Sequence, residues 1–154
     1  MDKFEESELK GRELLKSFLD QVGASDQQPT EGKFNPVDYF FTYKGNKVVA
    51  EIKCRDIQYK NYDTHLIEDG KLKSLLKAKK DNDCDYAYYI NFFGEDTVYW
   101  YSTDNVTKYA SQKYVRCNRT TAVDTGKKEK DLWMIPVTVA KIYVKKDGKW
   151  CKNE

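Results

Sequence analysis

The chain is poor in the residues that build soft-metal and disulfide sites. It has one histidine, His65, and its four cysteines, Cys54, Cys84, Cys117 and Cys151, stand far apart with no CxxC pair. A tetrahedral zinc site therefore has little to draw on, and the cysteines read as reduced, structural thiols of a cytoplasmic protein. No segment approaches the ~20 consecutive apolar residues that span a bilayer, which excludes a hydrophobic transmembrane helix. The opening decapeptide, MDKFEESELK, is acidic and has no apolar centre, so no secretory signal is expected. Charge of one sign is also missing: 27 basic against 25 acidic residues leave a formal charge of +2. Such a balance neither demands nor forbids a polyanionic partner, because binding depends on where the positive charge gathers.

What is present is a globular composition of 154 residues, 40% hydrophobic and 34% charged, with twelve Tyr, seven Phe and three Trp. The length suits one domain, 1–154, with a substantial core. Over 3–22, Phe4, Gly11, Leu15, Phe18 and Val22 fall on one helical stripe with Leu14 and Leu19 beside it, and Gly23 is a natural stop. Residues 24–36 are rich in turn formers and predict a loop with at most one short strand. Two β-branched and aromatic runs follow, VDYFFTY and KVVAEIKC, with Gly45-Asn46 read as the hairpin turn between them.

The stretch 65–80, with Leu66, Leu72, Leu75, Leu76 and Ala78 among lysines, predicts a second helix despite Gly70. CDYAYYINFF and TVYWYST predict strands joined by GED. Residues 106–117 stay open between helix and loop, 118–131 read as a polar loop, and LWMIPVTVAKIYVKK as strand interrupted at Pro136. The order helix, strands, helix, strands predicts an α/β fold, a mixed central sheet flanked by helices.

The hairpin carries the first functional signal. With Gly45 and Asn46 as the loop, Phe40 faces Glu51 and Asp38 faces Lys53. Alternation then places Asp38, Phe40 and Thr42 on one face with Val49, Glu51 and Lys53. Tyr39, Phe41, Tyr43, Val48, Ala50 and Ile52 take the other. Glu51 lies diagonally from Asp38, within roughly 5 to 8 Å. Two carboxylates and an ammonium thus converge. The plain alternative is a solvated ladder whose Asp38–Lys53 pair contributes a few tenths of a kcal/mol.

The stretch NPVDYFFTYKGNKVVAEIKCRD resembles the signature of the PD-(D/E)XK nuclease superfamily, an Asp on one strand followed by Glu/Asp-x-Lys on the next. Glu51-Ile52-Lys53 matches the second half after the apolar run Val48-Val49-Ala50, whereas Pro36-Val37-Asp38 departs from the adjacent Pro-Asp. With its flanking helices the resemblance covers about residues 5–103. It implies a restriction-endonuclease-like core, α-β-β-β-α-β, and a metal-dependent DNA endonuclease. Asp38, Glu51 and the backbone carbonyl of Ile52 would hold Mg²⁺ or Mn²⁺, a hard cation suited to oxygen ligands. Lys53 would orient the attacking water or steady developing charge. The superfamily often adds a glutamate from the first helix. Glu8 is the choice here, at the border of the apolar stripe near the small Gly11, and Glu13 is the rival. On the second helix Lys71 and Lys73 are candidate phosphate contacts.

Further basic residues, Lys108, Lys113, Arg116 and Arg119, lie among Tyr109 and Tyr114, which could stack on splayed bases. Arg116 and Arg119 are taken with Lys71 and Lys73 as the nucleic-acid-binding set. No element that reads bases is evident, and no appended specificity domain. These features predict a structure-selective or resolvase-like enzyme, for which a homodimer is the expected way to cut both strands. Two rivals stand beside it: a non-catalytic nucleic-acid-binding or assembly module on the same fold, and an interaction protein without nucleic-acid affinity. His65, a lone histidine near a predicted helix start, reads as a surface or capping residue.

Overall fold

The computed structural model describes residues 3–30, 35–55, 62–118 and 127–153, with backbone alone for Phe4, 113–118 and 127–130. The first helix, α1 (Lys3–Val22), runs the full predicted length and ends at Gly23, whose φ of 77° is the left-handed conformation that glycine accepts without strain. The turn formers after it yield one short strand, β1 (Ser25–Pro29), paired antiparallel with β2 (Tyr39–Tyr43). The hairpin from β2 to β3 (Asn46–Arg55) turns through Lys44 and Gly45, not Gly45 and Asn46; both have positive φ, 50° and 80°. Tyr43 consequently faces Asn46 and Phe40 faces Val49. Against the expected register the partner moves by two residues. An even shift leaves every side chain on its predicted face.

The predicted helix from 65 begins later. Residues Thr64–Glu68 form β4, in which His65 and Ile67 are buried while Leu66 faces out. This period of two overrides the leucine spacing that suggested a helix. The second helix, α2 (Asp69–Asp81), then buries Leu72, Leu75 and Ala78. Asp69 in its first turn and Lys79 and Lys80 in its last complement the helix dipole. Strands β5 (Tyr86–Phe93) and β6 (Thr97–Ser102) form the expected hairpin.

The stretch left open resolves into α3 (Thr103–Tyr109), capped by Ser102 Oγ accepting from Asn105 N–H at 3.1 Å, and β7 (Ser111–Asn118). The polar segment is not loop throughout: β8 (Lys127–Pro136) begins at Lys127. Pro136 breaks the chain as expected, before a 3₁₀ turn, β9 (Lys141–Lys146) and β10 (Lys149–Lys152).

The central sheet has the order β1-β2-β3-β5-β6-β9-β10. Strands β3 and β5 pair in parallel, the other described neighbours antiparallel, so the sheet is mixed as predicted. A second sheet, β4-β8-β7, was not foreseen.

Two cores flank the central sheet. Under α1, Leu15, Phe18 and Leu19 pack on Phe41, Val48, Ala50 and Trp100. On the opposite face Leu72 and Leu75 of α2 pack with Val49, Tyr89, Tyr101 and Ile135. The face of the hairpin that carries the charges is therefore covered by α2 and the second sheet. Truncating a fully enclosed residue such as Leu15 or Leu75 to Ala is expected to cost ~2–5 kcal/mol. Glu51 and Lys53 of β3 lie on that covered face.

Candidate active site

Asp38 immediately precedes β2, and its backbone is pinned on both sides. Its N–H donates to Ala50 O at 3.0 Å, and its carbonyl accepts from Thr30 N–H, also at 3.0 Å. Where β2 has not yet begun, the Asp38 carboxylate takes the place of a strand neighbour: Oδ2 accepts from Ile52 N–H at 2.8 Å. Extending the observed register by one residue sets Asp38 beside Glu51, a tighter relationship than the predicted diagonal. Lys53 is therefore not the residue opposite Asp38. It lies two residues beyond Glu51 on the same face, beside Asn91 of β5 in the parallel register. Within a strand a residue's N–H and C=O point to the same side. The Ile52 carbonyl thus faces the gap that Asp38 fills.

Glu51 is only 7% exposed. Burial pushes its carboxyl up to about 8, the facing Asp38 adds to the rise, and Lys71 pulls it back. Lys71, brought over the sheet by the first turn of α2, places Nζ 3.3 Å from Glu51 Oε1. Burial works against the Lys71 ammonium, but Glu51, Asp38 and Glu68 outweigh it and hold its pKa above the ordinary lysine value.

Lys53 behaves oppositely. Burial, then Arg55, pulls it below the ordinary value, with Glu68 and Glu51 opposing. Lys73 points elsewhere, bound to Asp69 Oδ2 at 2.7 Å, and does not join the cluster. The Arg116 side chain and all of Arg119 lie outside the described residues, as do the side chains of Lys113, Tyr114 and Cys117; Cys84 and Cys151 are free thiols.

On α1, Gly11 sits so close to β3 that a Cβ there would meet Ile52 Cγ2 at 2.9 Å and Cys54 Sγ at 3.0 Å. That approach brings the helix's polar edge to Asp38. Glu8 is raised above the ordinary carboxylate value by burial and by the Asp38 charge, so it belongs to the same electrostatic cluster. Glu13 is exposed. Sequence reasoning missed Arg12, which lies between the two acids, 3.8 Å from Glu8 and 3.7 Å from Asp38. Its spacing of four from Glu8 was the available signal.

Asn91 was also missed. It is fully buried beside Lys53, its Oδ1 3.5 Å from Arg55 Nε, and its amide nitrogen meets no acceptor among the described residues. His65 is not a surface residue: it is 5% exposed on β4, and its Nδ1 lies 2.6 Å from Tyr101 Oη.

The donor set can be tested against a hard cation. Among the described residues no three His, Cys, Asp or Glu side chains converge in ligating geometry. Two carboxylates, Asp38 and Glu51, are neighbours, with the Ile52 carbonyl directed to the same gap. One or two carboxylates with several retained waters is the usual protein contribution to Mg²⁺. Two nearly buried acids side by side also call for positive charge, now met by Lys71 and Arg12. The residues fit such an ion.

No protein-family model and no curated protein sequence matches the chain. Among solved structures it is similar to Hjc, a Holliday junction resolvase from the archaeal hyperthermophile Archaeoglobus fulgidus, with a TM-score of 0.56 at 12% identity. The match covers 85% of this chain and 89% of that one. That resolvase belongs to the PD-(D/E)XK nuclease superfamily, so the architecture implied by the hairpin motif is the one the chain adopts.

Proposed function

We propose that the chain is a divalent-metal-dependent DNA endonuclease, selective for branched or otherwise distorted DNA. The observation that carries this reading is the juxtaposition of Asp38 and Glu51, with Lys53 one step further along the same face. The resolvase fold supports it. Asp38, Glu51 and the Ile52 carbonyl would hold the metal, with Glu8 acting from α1 through Arg12 or through water.

When bound, Mg²⁺ or Mn²⁺ supplies the Lewis acidity that polarises a phosphoryl oxygen and makes hydroxide available near neutral pH. Lys53, anchored in β3, would orient the attacking water and donate to the charge growing on the phosphate. Lys71 would leave Glu51 for the incoming phosphate, so that one ammonium serves both states. Lys73 and the arginines of the 116–119 segment would touch the backbone at a distance, positioning the duplex without reading sequence. A homodimer would present two such sites to the two strands, and the cytoplasm is the expected location.

The second reading, a nucleic-acid-binding module without catalysis, draws on the Lys71 and Arg12 contacts that already neutralise both acids. Cleavage of supercoiled plasmid and of a four-way junction, with Mg²⁺ or Mn²⁺, separates the two. Metal-dependent cutting that disappears in Glu51→Ala and Lys53→Ala, with circular dichroism unchanged, supports the nuclease. Binding without cutting of any DNA form favours the module.

A further inference from the structure

On the face of the sheet covered by α1, beside the last turns of that helix, a cleft of about 250 Å³ opens between the β2–β3 hairpin tip and β9. It is far from the carboxylates: it begins at Asn46 and Val48 of β3 and lies on the other side of the sheet from Glu51. Its walls are mostly aromatic. Tyr88 meets Trp100 edge-on at 5.4 Å, Phe18 lies 4.9 Å from Tyr143, and Tyr86, 42% exposed, continues the aromatic surface outward.

Two lysines, Lys44 and Lys141, line it, and no acid does among its described lining residues. Lys141 is the strand partner of Trp100, and Lys145 shares its face by alternation, its ammonium 5.6 Å from the Trp150 ring. Trp100 is 7% exposed, and its indole N–H meets no acceptor among the described residues.

We propose that this cleft is a nucleotide-binding site that takes one unpaired base, with its phosphate held by Lys44 and Lys141. Flat π-faces beside cations are the means by which proteins hold single-stranded nucleic acid, because every base offers a face to stack on. A cleft of about 250 Å³ has room for one base. The site does not depend on the cleavage reading, since it shares no residue with the Asp38–Glu51 cluster. The base belongs either to a free mononucleotide or to a strand end.

The test uses the full chain with a chelator present, titrated with dAMP and separately with a ten-residue oligodeoxyadenylate, following the three tryptophan indole N–H resonances by NMR. Trp100 is assigned from Trp100→Phe. Saturable movement of the Trp100 signal is expected, with Trp133 and Trp150 unaffected. Tyr86→Ala, at an exposed position, and Lys141→Glu should each weaken binding at least ~5-fold, the lower end of the loss of one stacking contact. Response to both ligands supports a pocket for the nucleotide itself, and response to the oligomer alone supports a pocket for a strand. No movement of Trp100, or binding indifferent to both variants, overturns the proposal. The readout needs no cleavage, so a chain that never cuts DNA would leave this result standing.

Discussion

Lys71, at the start of α2, lies 3.3 Å from Glu51 in the middle of β3, and this contact ties the helix to the carboxylate pair. The ammonium is half exposed while Glu51 is nearly buried, so the geometry is fixed from the strand side.

Removing Lys71 leaves two adjacent carboxylates with less compensation. With chelator present, Lys71→Ala should lower unfolding free energy by about 1–3 kcal/mol, since a buried charged group loses its partner. Lys73→Ala, which breaks only an exposed pair with Asp69, should stay within about 0.5 kcal/mol. Urea denaturation compares them. Added Mn²⁺ should raise the melting temperature of Lys71→Ala more than that of wild type, because binding to the folded state stabilises it by mass action.

Glu51→Gln keeps the shape of the side chain and removes its charge from beside Asp38. In metal-free buffer at pH 8 the variant should be more stable than wild type by about 1–2 kcal/mol. The same substitution should abolish Mn²⁺-dependent cleavage. Denaturant melts and junction cleavage on one preparation check both halves, and a destabilised variant would contradict the repulsion inferred here.

At Gly11, alanine would gain about 1 kcal/mol of helix propensity, yet its Cβ would press on Ile52 and Cys54. Overpacking against a strand typically costs ~1–3 kcal/mol. The net effect of Gly11→Ala should be destabilising, with α1 pushed away from Asp38 and cleavage reduced along with it. Thermal melts by circular dichroism and the junction assay report the two effects.

His65 gives the fold a pH dependence of its own. Burial, then Arg55, disfavours the imidazolium and places the pKa at about 4, against 6.5 for a free histidine. As pH falls below 6.5 the unfolded chain takes up the proton first, so this stabilisation is complete above 6.5 and disappears on the way to 4. Partial screening of the ring reduces the effect to on the order of 2 kcal/mol. Urea melts of wild type and His65→Gln between pH 7 and 4.5 should show the steeper loss in wild type.

Much of this architecture was legible where local signals agreed. The apolar stripe ending at Gly23 specified α1, and the β-branched runs around Gly45 specified the hairpin. The turn was displaced because Lys44 adopts the left-handed conformation, which sequence preference assigns less readily than it does to Asn46. The predicted faces survived only because the displacement was even. The strand at Thr64–Glu68 was hidden because its partner, β8, lies far along the chain, and pairing with it outweighs the local helical pattern. Arg12 and Asn91 were missed for a related reason: each meets a group distant in sequence, Asp38 and Arg55 respectively. The second sheet explains why His65, unremarkable in the sequence, is enclosed by Phe93, Tyr99 and Tyr101.

The pairing of β4 with β8 also sets a schedule. Strand β4 leads directly into α2, and its described sheet neighbour, β8, is made only when synthesis reaches residues 127–136. A nascent chain that has already produced Asp38, Glu51, Lys53 and Lys71 still lacks the strand that fixes the helix over them. Long-range pairings of this kind form late and slowly. The arrangement of α2 over Asp38 and Glu51 should therefore be completed only after residues 127–136 have been made.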